Sequence, residues 1–236
     1  MELTVEDLLK HSFVITIDKE RHSLFKRIFK AHGMGKPCPK KFQGVTIWYN
    51  SPQYNCSLSH VAAIEKAKKL DWPYVCIFED DVYPVTGIKD ELEKYLYDIP
   101  DDCAVLVLGS IFCHGSLGLQ GDFLKGIRTY GGHSYILFRN YYDKYLELLK
   151  KFPEGDGPLY KNDDSIIPLG QFYGTKRNLF IQYSPENGMN NKSGYILYYS
   201  MKDWNWVKFP DEYIFHKGFP KVEELLAKEQ KKKVIS

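Results

Sequence analysis

The chain has 236 residues, of which 44% are hydrophobic, so it can bury an ordinary core and fits one large domain or one domain with a small appendage. Its 32 basic and 30 acidic residues leave a formal net charge of +2, which gives no global field that would favour a nucleic-acid partner. The chain has five cysteines but no CxxC pair, its start does not resemble a signal peptide, and no apolar run approaches the roughly 20 residues of a membrane helix. We therefore expect a soluble, cytoplasmic protein.

Segments with strand-like and helix-like patterns alternate along the chain. Short apolar runs predict strands, and apolar residues with a period near 3.6 predict helices. The predicted strands span 13–17, 45–48, 74–78, 103–108, 134–138 and 179–183, with a glycine-rich loop at 109–126. The predicted helices span 21–31, 56–70, 88–97, 140–149 and 222–233, after a short helix that Thr4 caps and that ends near Lys10. This order predicts an α/β fold with a mostly parallel sheet flanked by helices.

Three consecutive acids follow the apolar strand at 74–78. Glu79, Asp80 and Asp81 repel one another, so their position directly after a buried strand suggests a cation, and a divalent metal is the first candidate. Ligands of such sheets bind beyond the carboxyl ends of the strands, and Asp18 follows another predicted strand at the same edge. The alternative interpretation is a polar turn that only ends the strand.

The sequence does not support two other common kinds of binding site. The segment GMGK at 33–36 resembles a phosphate-binding loop but lacks the GxxxxGK[ST] spacing, and the prolines that follow it oppose a helix. The sequence offers no Cys/His cluster of zinc-site spacing, since the pair Cys113 and His114 is too short to make one. Carboxylate oxygens are hard ligands, so Mn²⁺ or Mg²⁺ is expected in preference to zinc.

The order of three motifs resembles glycosyltransferase family 25, which includes lipooligosaccharide and collagen galactosyltransferases. These motifs are NCSLSH at 55–60, EDDV at 79–82 and GHSY at 132–135, and the resemblance extends from about Phe13 to about Pro185. It implies an A-type glycosyltransferase fold with a Rossmann-like sheet at 1–186, followed by a less regular extension at 187–236 that packs on the same domain. It also implies a nucleotide-sugar donor, usually a UDP-sugar, and an inverting displacement assisted by Mn²⁺ or a similar ion.

The resemblance and the chemistry of the leaving diphosphate together suggest roles for the acids. Asp81 is the first choice for a metal ligand, Asp80 is expected to share that role or hold the ribose, and Glu79 is expected to orient both. The residues expected to contact the donor are Asp18, Lys19, Arg21, Ser59, His60, Glu79, Asp80 and His133. For the two histidines the alternative is a structural role with a backbone partner, and for Lys19 and Arg21 it is an ordinary surface charge.

An inverting transfer needs a base that removes the proton of the acceptor hydroxyl. Asp164 or Asp163 is expected to supply it, and the alternative for both is capping of the turn that begins at Ser165.

The sequence therefore predicts a metal-dependent glycosyltransferase that moves galactose, or else glucose, from a UDP-sugar to a hydroxyl of a cell-surface glycan precursor such as lipopolysaccharide. A lysine-rich tail is compatible with peripheral membrane contact at most. The sequence is also compatible with two alternatives. One is a catalytically silent module of the same fold that binds a nucleotide or glycan, and the other is metal-dependent phosphoryl transfer or hydrolysis.

Overall fold

A mixed eight-stranded sheet lies at the centre of the protein in the computed structural model. The structure describes residues 3–48, 52–109, 112–114, 119–120, 123–125, 128–130, 132–150, 171–175, 179–183 and 196–197. Its helices are α1 (Val5–Lys10), α2 (Lys19–Ala31), α3 (Pro52–Lys69), α4 (Ile88–Tyr97) and α5 (Tyr142–Lys150). Its strands are β1 (Ser12–Thr16), β2 (Lys40–Gln43), β3 (Tyr74–Glu79), β4 (Val82–Pro84), β5 (Val105–Gly109), β6 (Phe112–His114), β7 (Leu119–Gln120), β8 (Phe123–Lys125), β9 (Arg128–Tyr130), β10 (Ser134–Phe138), β11 (Phe172–Thr175), β12 (Phe180–Tyr183) and β13 (Ile196–Leu197).

The strand order of the main sheet is β2-β1-β3-β10-β5-β11-β8-β7. The pairs β1–β2, β1–β3 and β5–β11 are parallel, whereas β10 runs in the opposite direction between β3 and β5. Two small antiparallel sheets, β13-β12-β4 and β6-β9, accompany it. The predicted α/β fold with a mixed, mostly parallel sheet is confirmed. Because β10 is reversed, its first residues lie at the edge where β1, β3 and β5 end.

Both faces of the sheet are covered by apolar side chains. On one face, Phe25 and Phe29 of α2 stack at 3.9 Å between ring centroids and pack on Phe78 of β3. On the other face, the stripe of α3 that contains Ile64 and Ala67 packs on the same sheet and is fully buried. The central strands β3 and β5 are therefore apolar almost throughout, as is expected for strands that are buried on both faces.

The predicted strand at 45–48 is wrong. The edge strand forms earlier, at Lys40–Gln43, and the following backbone is held by side chains of α3 instead of a strand partner. Val45 N–H donates to Ser59 Oγ at 2.8 Å, and the amide group of Asn55 accepts from Ile47 N–H at 3.3 Å and donates to Ile47 O at 2.9 Å. Tertiary hydrogen bonds thus override the strand propensity of this apolar segment.

The other differences between the predicted and the observed elements are smaller. The region predicted as a glycine-rich loop contains the short strands β6, β7 and β8. The helix α3 begins at Pro52, four residues before the predicted start at Cys56. Of the extension predicted at 187–236, only β13 is described, and it pairs with β12. The predicted helix at 222–233 lies outside the described residues.

The strand β2 is an edge of the main sheet and is largely exposed. It carries Lys40 and Lys41, and Lys40 Nζ lies 4.5 Å from the centre of the Trp72 ring. None of the described helices combines the length and apolar character needed to cross a membrane.

Candidate active site

The acidic residues lie where β3 ends. Glu79 is the last residue of the strand, and Asp80 and Asp81 form the turn that leads into β4. The side chains of Asp80 and Asp81 are only 7% and 12% exposed. Arg21 Nη2 forms an ion pair with Oδ1 of Asp80 and lies 3.3 Å from Oδ2 of Asp81. The structure thus brings together three residues that were predicted to bind the donor or a metal.

Thr16 is a member of this site that the sequence analysis missed. Thr16 is the last residue of β1 and is only 2% exposed. Its hydroxyl donates to Asp80 Oδ2 at 2.5 Å. Burial raises the pKa of Asp80, and the opposing effects of Arg21 and Thr16 do not fully offset it. The sequence could have indicated Thr16 only through its position, because Thr16 ends a strand that runs parallel to β3 and directly beside it.

Asp18 and Lys19 are at the start of α2. Asp18 is the N-cap, and its Oδ1 accepts hydrogen bonds from the N–H groups of Glu20 at 2.6 Å and Arg21 at 3.0 Å. These backbone bonds hold the pKa of Asp18 below its usual range. Lys19 is the first residue of the helix and is exposed. Asp18 therefore fixes the helix start from which Arg21 reaches the acidic turn.

The NCSLSH motif places two pairs of side chains on neighbouring faces of α3, because residues four apart lie one turn apart. Asn55 and Ser59 form the first pair, which holds the backbone at 45–47 as described above. Ser59 Oγ also donates to Asn55 O at 2.7 Å. Ser59, predicted to contact the donor, thus supports a wall of the cavity through its hydrogen bonds.

Cys56 and His60 form the second pair and meet Glu79. Cys56 Sγ lies 3.6 Å and His60 Nε2 lies 3.5 Å from Glu79 Oε1. The other imidazole nitrogen of His60 is 2.8 Å from the hydroxyl of Tyr135 in β10. Burial by itself raises the pKa of Glu79, but His60, His133 and the Cys56 thiol lower it by more, so the pKa lies below its usual range. No spacing rule links a helix start to a strand end, so the sequence analysis missed this cluster.

His133 is buried just before β10. Its Nε2 lies 3.0 Å from the carbonyl oxygen of Phe180, and its own carbonyl accepts from Glu79 N–H at 3.0 Å. Gly109 packs against this ring so closely that a Cβ there would lie 2.6 Å from Nε2 of His133 and 2.2 Å from Phe180 O. The structure thus shows His133 joined to β12, and its predicted contact with the donor stays a prediction.

A cavity of about 270 Å³ opens beside the acidic turn. Its walls come from the ends of β1 and β3, the 45–46 backbone and the first turns of α3. The lining residues are Ile15, Thr16, Ile17, Arg21, Val45, Thr46, Pro52, Asn55, Cys56, Ser59, Glu79, Asp80 and Asp81. Four of the eight residues predicted to contact the donor, Arg21, Ser59, Glu79 and Asp80, therefore line one space together with the predicted metal ligand Asp81. The other four, Asp18, Lys19, His60 and His133, are not among its lining residues.

The chemistry of the acidic turn fits a hard divalent cation such as Mn²⁺ or Mg²⁺. Asp80 and Asp81 offer carboxylate oxygens on the wall of the cavity, and the ion pairs with Arg21 show that positive charge is accommodated against both. Asp163 and Asp164, the predicted bases, lie outside the described residues.

One comparison with known proteins agrees with two of the three sequence motifs, NCSLSH and EDDV. Residues 50–111 match the model of glycosyltransferase family 25 (LPS biosynthesis protein), a segment that includes α3, the acidic turn and β5. No curated protein sequence matches the chain.

Solved structures with a similar chain path include two glycosyltransferases. One is a glycosyltransferase involved in the glycosylation of the major capsid of PBCV-1, with 10% identity, a TM-score of 0.43 and coverage of 66% of this chain and 72% of that chain. The other is a mutant Drosophila β-1,4-galactosyltransferase 7 in complex with manganese, UDP-Gal and xylobiose, with 13% identity, a TM-score of 0.42 and coverage of 91% and 78%. The resemblance to glycosyltransferase family 25 is confirmed by the match at residues 50–111, and it supports a role in glycosyl transfer.

Proposed function

We propose that the protein is a metal-dependent, inverting glycosyltransferase. It would move galactose, or else glucose, from a UDP-sugar to a hydroxyl of a cell-surface glycan precursor such as lipopolysaccharide, in the cytoplasm and with at most peripheral membrane contact. The observation that carries this proposal is the pair of largely buried carboxylates, Asp80 and Asp81, which belong to the family-matched segment and lie beside Arg21 on a cavity wall. The mixed α/β sheet agrees with the A-type fold that the family resemblance implies.

The arrangement of charges suits a reaction whose leaving group is an anion. Negative charge builds up on the departing UDP as the bond to the sugar breaks, and fixed positive groups that meet it lower the barrier. A bound Mn²⁺ or Mg²⁺ would supply Lewis-acid stabilisation of that charge. Asp81 and Asp80 would hold the ion, and Arg21 would place a guanidinium on the same wall.

The remaining walls suit the nucleoside part of the donor. The cavity volume of about 270 Å³ is close to the lower end, roughly 300 Å³, of ordinary ligand pockets. Ile15 and Ile17 offer apolar surface, and the adjoining segment at 45–46 also lines the cavity. We expect the uridine to lie against these surfaces with its diphosphate toward the acidic turn.

The acceptor side of the proposal rests on the chemistry of inversion. Asp164 or Asp163 would take the proton of the acceptor hydroxyl while that hydroxyl attacks the sugar from the face opposite UDP. The acceptor is a glycan or lipid-linked saccharide in this proposal. Analysis of the product by NMR would show inversion directly, because the anomeric configuration of the transferred sugar would be opposite to that in the donor.

The decisive experiment measures UDP release from UDP-galactose and UDP-glucose with and without Mn²⁺. Wild type should depend on the ion, and Asp81→Asn should lose about 100-fold in kcat, the usual cost of removing an electrostatic group from the transition state. Asp98→Asn is the matched control, because Asp98 is an exposed carboxylate at the end of α4 and does not line the cavity.

Other results of this experiment would each support a different interpretation of the protein. Turnover without a divalent ion, or an Asp81→Asn variant as active as wild type, would contradict the metal site. UDP binding in calorimetry without sugar transfer or donor hydrolysis would support a silent binding module. Release of inorganic phosphate in place of UDP would support phosphoryl transfer or hydrolysis.

A further inference from the structure

The side chains of Cys56, His60 and Glu79 converge next to the acidic turn. One ligand atom of each, the Cys56 sulfur, a His60 ring nitrogen and a Glu79 carboxylate oxygen, lies within 4.8 Å of the other two. We propose that these residues form a second metal site, selective for zinc or a similar borderline divalent metal and separate from the ion that Asp80 and Asp81 would hold. This site does not depend on the proposed glycosyl transfer.

The distances suit tetrahedral coordination. With zinc bonds of about 2.3 Å to sulfur and 2.0–2.1 Å to nitrogen and oxygen, the S···O and N···O edges of a tetrahedron are about 3.5 Å and 3.3 Å. The corresponding distances to Glu79 Oε1 are 3.6 Å from Cys56 Sγ and 3.5 Å from His60 Nε2. Both distances lie within about 0.2 Å of the tetrahedral edges, and the third pair of ligand atoms, the Cys56 sulfur and a His60 ring nitrogen, lies within 4.8 Å.

The surroundings orient the imidazole for this role. His60 is fully buried, and its Nδ1 lies 2.8 Å from the hydroxyl of Tyr135, whose ring stacks beside it at 5.7 Å. When Nδ1–H donates to that hydroxyl, the lone pair of Nε2 is left for a ligand on the side of Glu79 and Cys56. A histidine that is held in this way by its second nitrogen is the usual arrangement at protein metal sites.

The donor set separates this site from the acidic turn. Thiolate and imidazole favour zinc-type ions, whereas the oxygens of Asp80 and Asp81 favour Mn²⁺ or Mg²⁺. A thiolate and a carboxylate together carry two negative charges, which one divalent ion neutralises in a largely buried place. Cys56 and Glu79 line the cavity, so a water or ligand atom could complete the coordination from there.

The alternative is a hydrogen-bonded cluster in which the thiol and the imidazole donate to Glu79 without an ion. The two arrangements differ in whether a cobalt ion is bound through sulfur. Co²⁺ replaces Zn²⁺ in tetrahedral sites, and its bond to a thiolate gives a charge-transfer absorption in the near ultraviolet that oxygen ligands do not give.

The test titrates the untagged, chelator-treated full chain with Co²⁺ and then adds Zn²⁺. We expect one Co²⁺ per chain with the thiolate band and visible tetrahedral bands, loss of these bands as Zn²⁺ displaces the ion, and no displacement by excess Mg²⁺. Cys56→Ser should abolish the thiolate band, while Cys38→Ser, which changes another half-buried cysteine outside the cluster, should retain it. Tyr135→Phe should retain the band but weaken affinity about 10-fold, because it removes the group that orients His60.

Two further measurements test whether the Cys56→Ser variant is folded and whether the ion binds at the acidic turn instead. Circular dichroism of Cys56→Ser checks that the variant is folded, and Asp81→Asn should still bind Co²⁺ with the thiolate band even if it is inactive as a transferase. Absence of the band in wild type, or an unchanged band in folded Cys56→Ser, would overturn the proposed site. Zinc binding that Asp81→Asn abolishes would assign the ion to the acidic turn instead.

Discussion

The hydroxyl of Thr16 lies 2.5 Å from Oδ2 of Asp80, and this contact joins the ends of two parallel strands. The guanidinium of Arg21 forms an ion pair with the other oxygen of the same carboxylate, Oδ1. Asp80 is therefore held from β1 and from α2 at once. The orientation of the first acid of the turn is fixed before any ligand binds, which is the preorganisation that electrostatic catalysis requires.

We expect Thr16→Val to lower the free energy of unfolding by about 2 kcal/mol, since it removes a hydrogen bond to a largely buried charged group and keeps the side-chain volume. Urea denaturation followed by fluorescence measures this change. Thr16→Ser keeps the hydroxyl and should recover most of the loss. A loss of stability in Thr16→Ser with none in Thr16→Val would show that the methyl group of Thr16, and not its bond to Asp80, stabilises the fold.

The pH dependence of stability should reveal the raised pKa of Asp80. Because the folded-state pKa lies above the ordinary value of 3.8, the folded protein takes up a proton before the unfolded chain does as the pH falls. The stability of wild type relative to Asp80→Asn should therefore increase as the pH falls through the folded pKa toward 3.8. Urea titrations of both proteins between pH 7 and pH 4, with a chelator present, measure the difference. A difference that decreases as the pH falls would mean that Arg21 and Thr16 outweigh burial.

We expect Gly109→Ala to destabilise the protein by about 3 kcal/mol or more, because the added methyl group meets the buried carbonyl of Phe180 and the ring of His133. The matched control is Gly33→Ala, where no atom lies within 4 Å of the added group and only the φ of 77° opposes it. That control should cost about 1–2 kcal/mol. Thermal unfolding of the two variants compares them, and equal shifts would contradict the close packing at Gly109.

His133→Phe should cost about 2 kcal/mol of stability, because it leaves the buried carbonyl of Phe180 without the imidazole donor. His133→Gln retains an N–H donor of similar reach and should be closer to wild type. Chemical denaturation gives the stabilities, and calorimetry with UDP gives the affinities. Weaker UDP binding in both variants at wild-type stability would instead support the contact with the donor that the family resemblance implies.

The sequence was most informative where a single strand or helix determines the position of a residue. The apolar run of β3 and the acids after it were predicted, as was the position of Asp18 at the same edge, because the ends of parallel strands meet there. The family resemblance, and not the strand geometry, suggested Arg21 for the same site. The strand predicted at 45–48 was wrong, because Asn55 and Ser59 satisfy its backbone from a helix that comes later in the chain. Local propensity carries no information about such a partner.

The cluster of Cys56, His60 and Glu79 was missed for a related reason. The spacing of Cys56 and His60 places both on one face of a helix, but the third member, Glu79, lies 23 residues after Cys56 in a strand whose position depends on how α3 packs on the sheet. Tyr135, which orients His60, arrives through the reversed strand β10. Only the assembled sheet relates these residues.

The edge strand β2 also has a consequence for self-association. A strand at the edge of a sheet can pair with a strand of another molecule, which is a common route to aggregation. Lys40 and Lys41 place two positive charges along this exposed edge, and Lys40 is held over the Trp72 ring. Two copies that approached edge to edge would bring like charges together, so these lysines protect the protein against intermolecular strand pairing at high concentration.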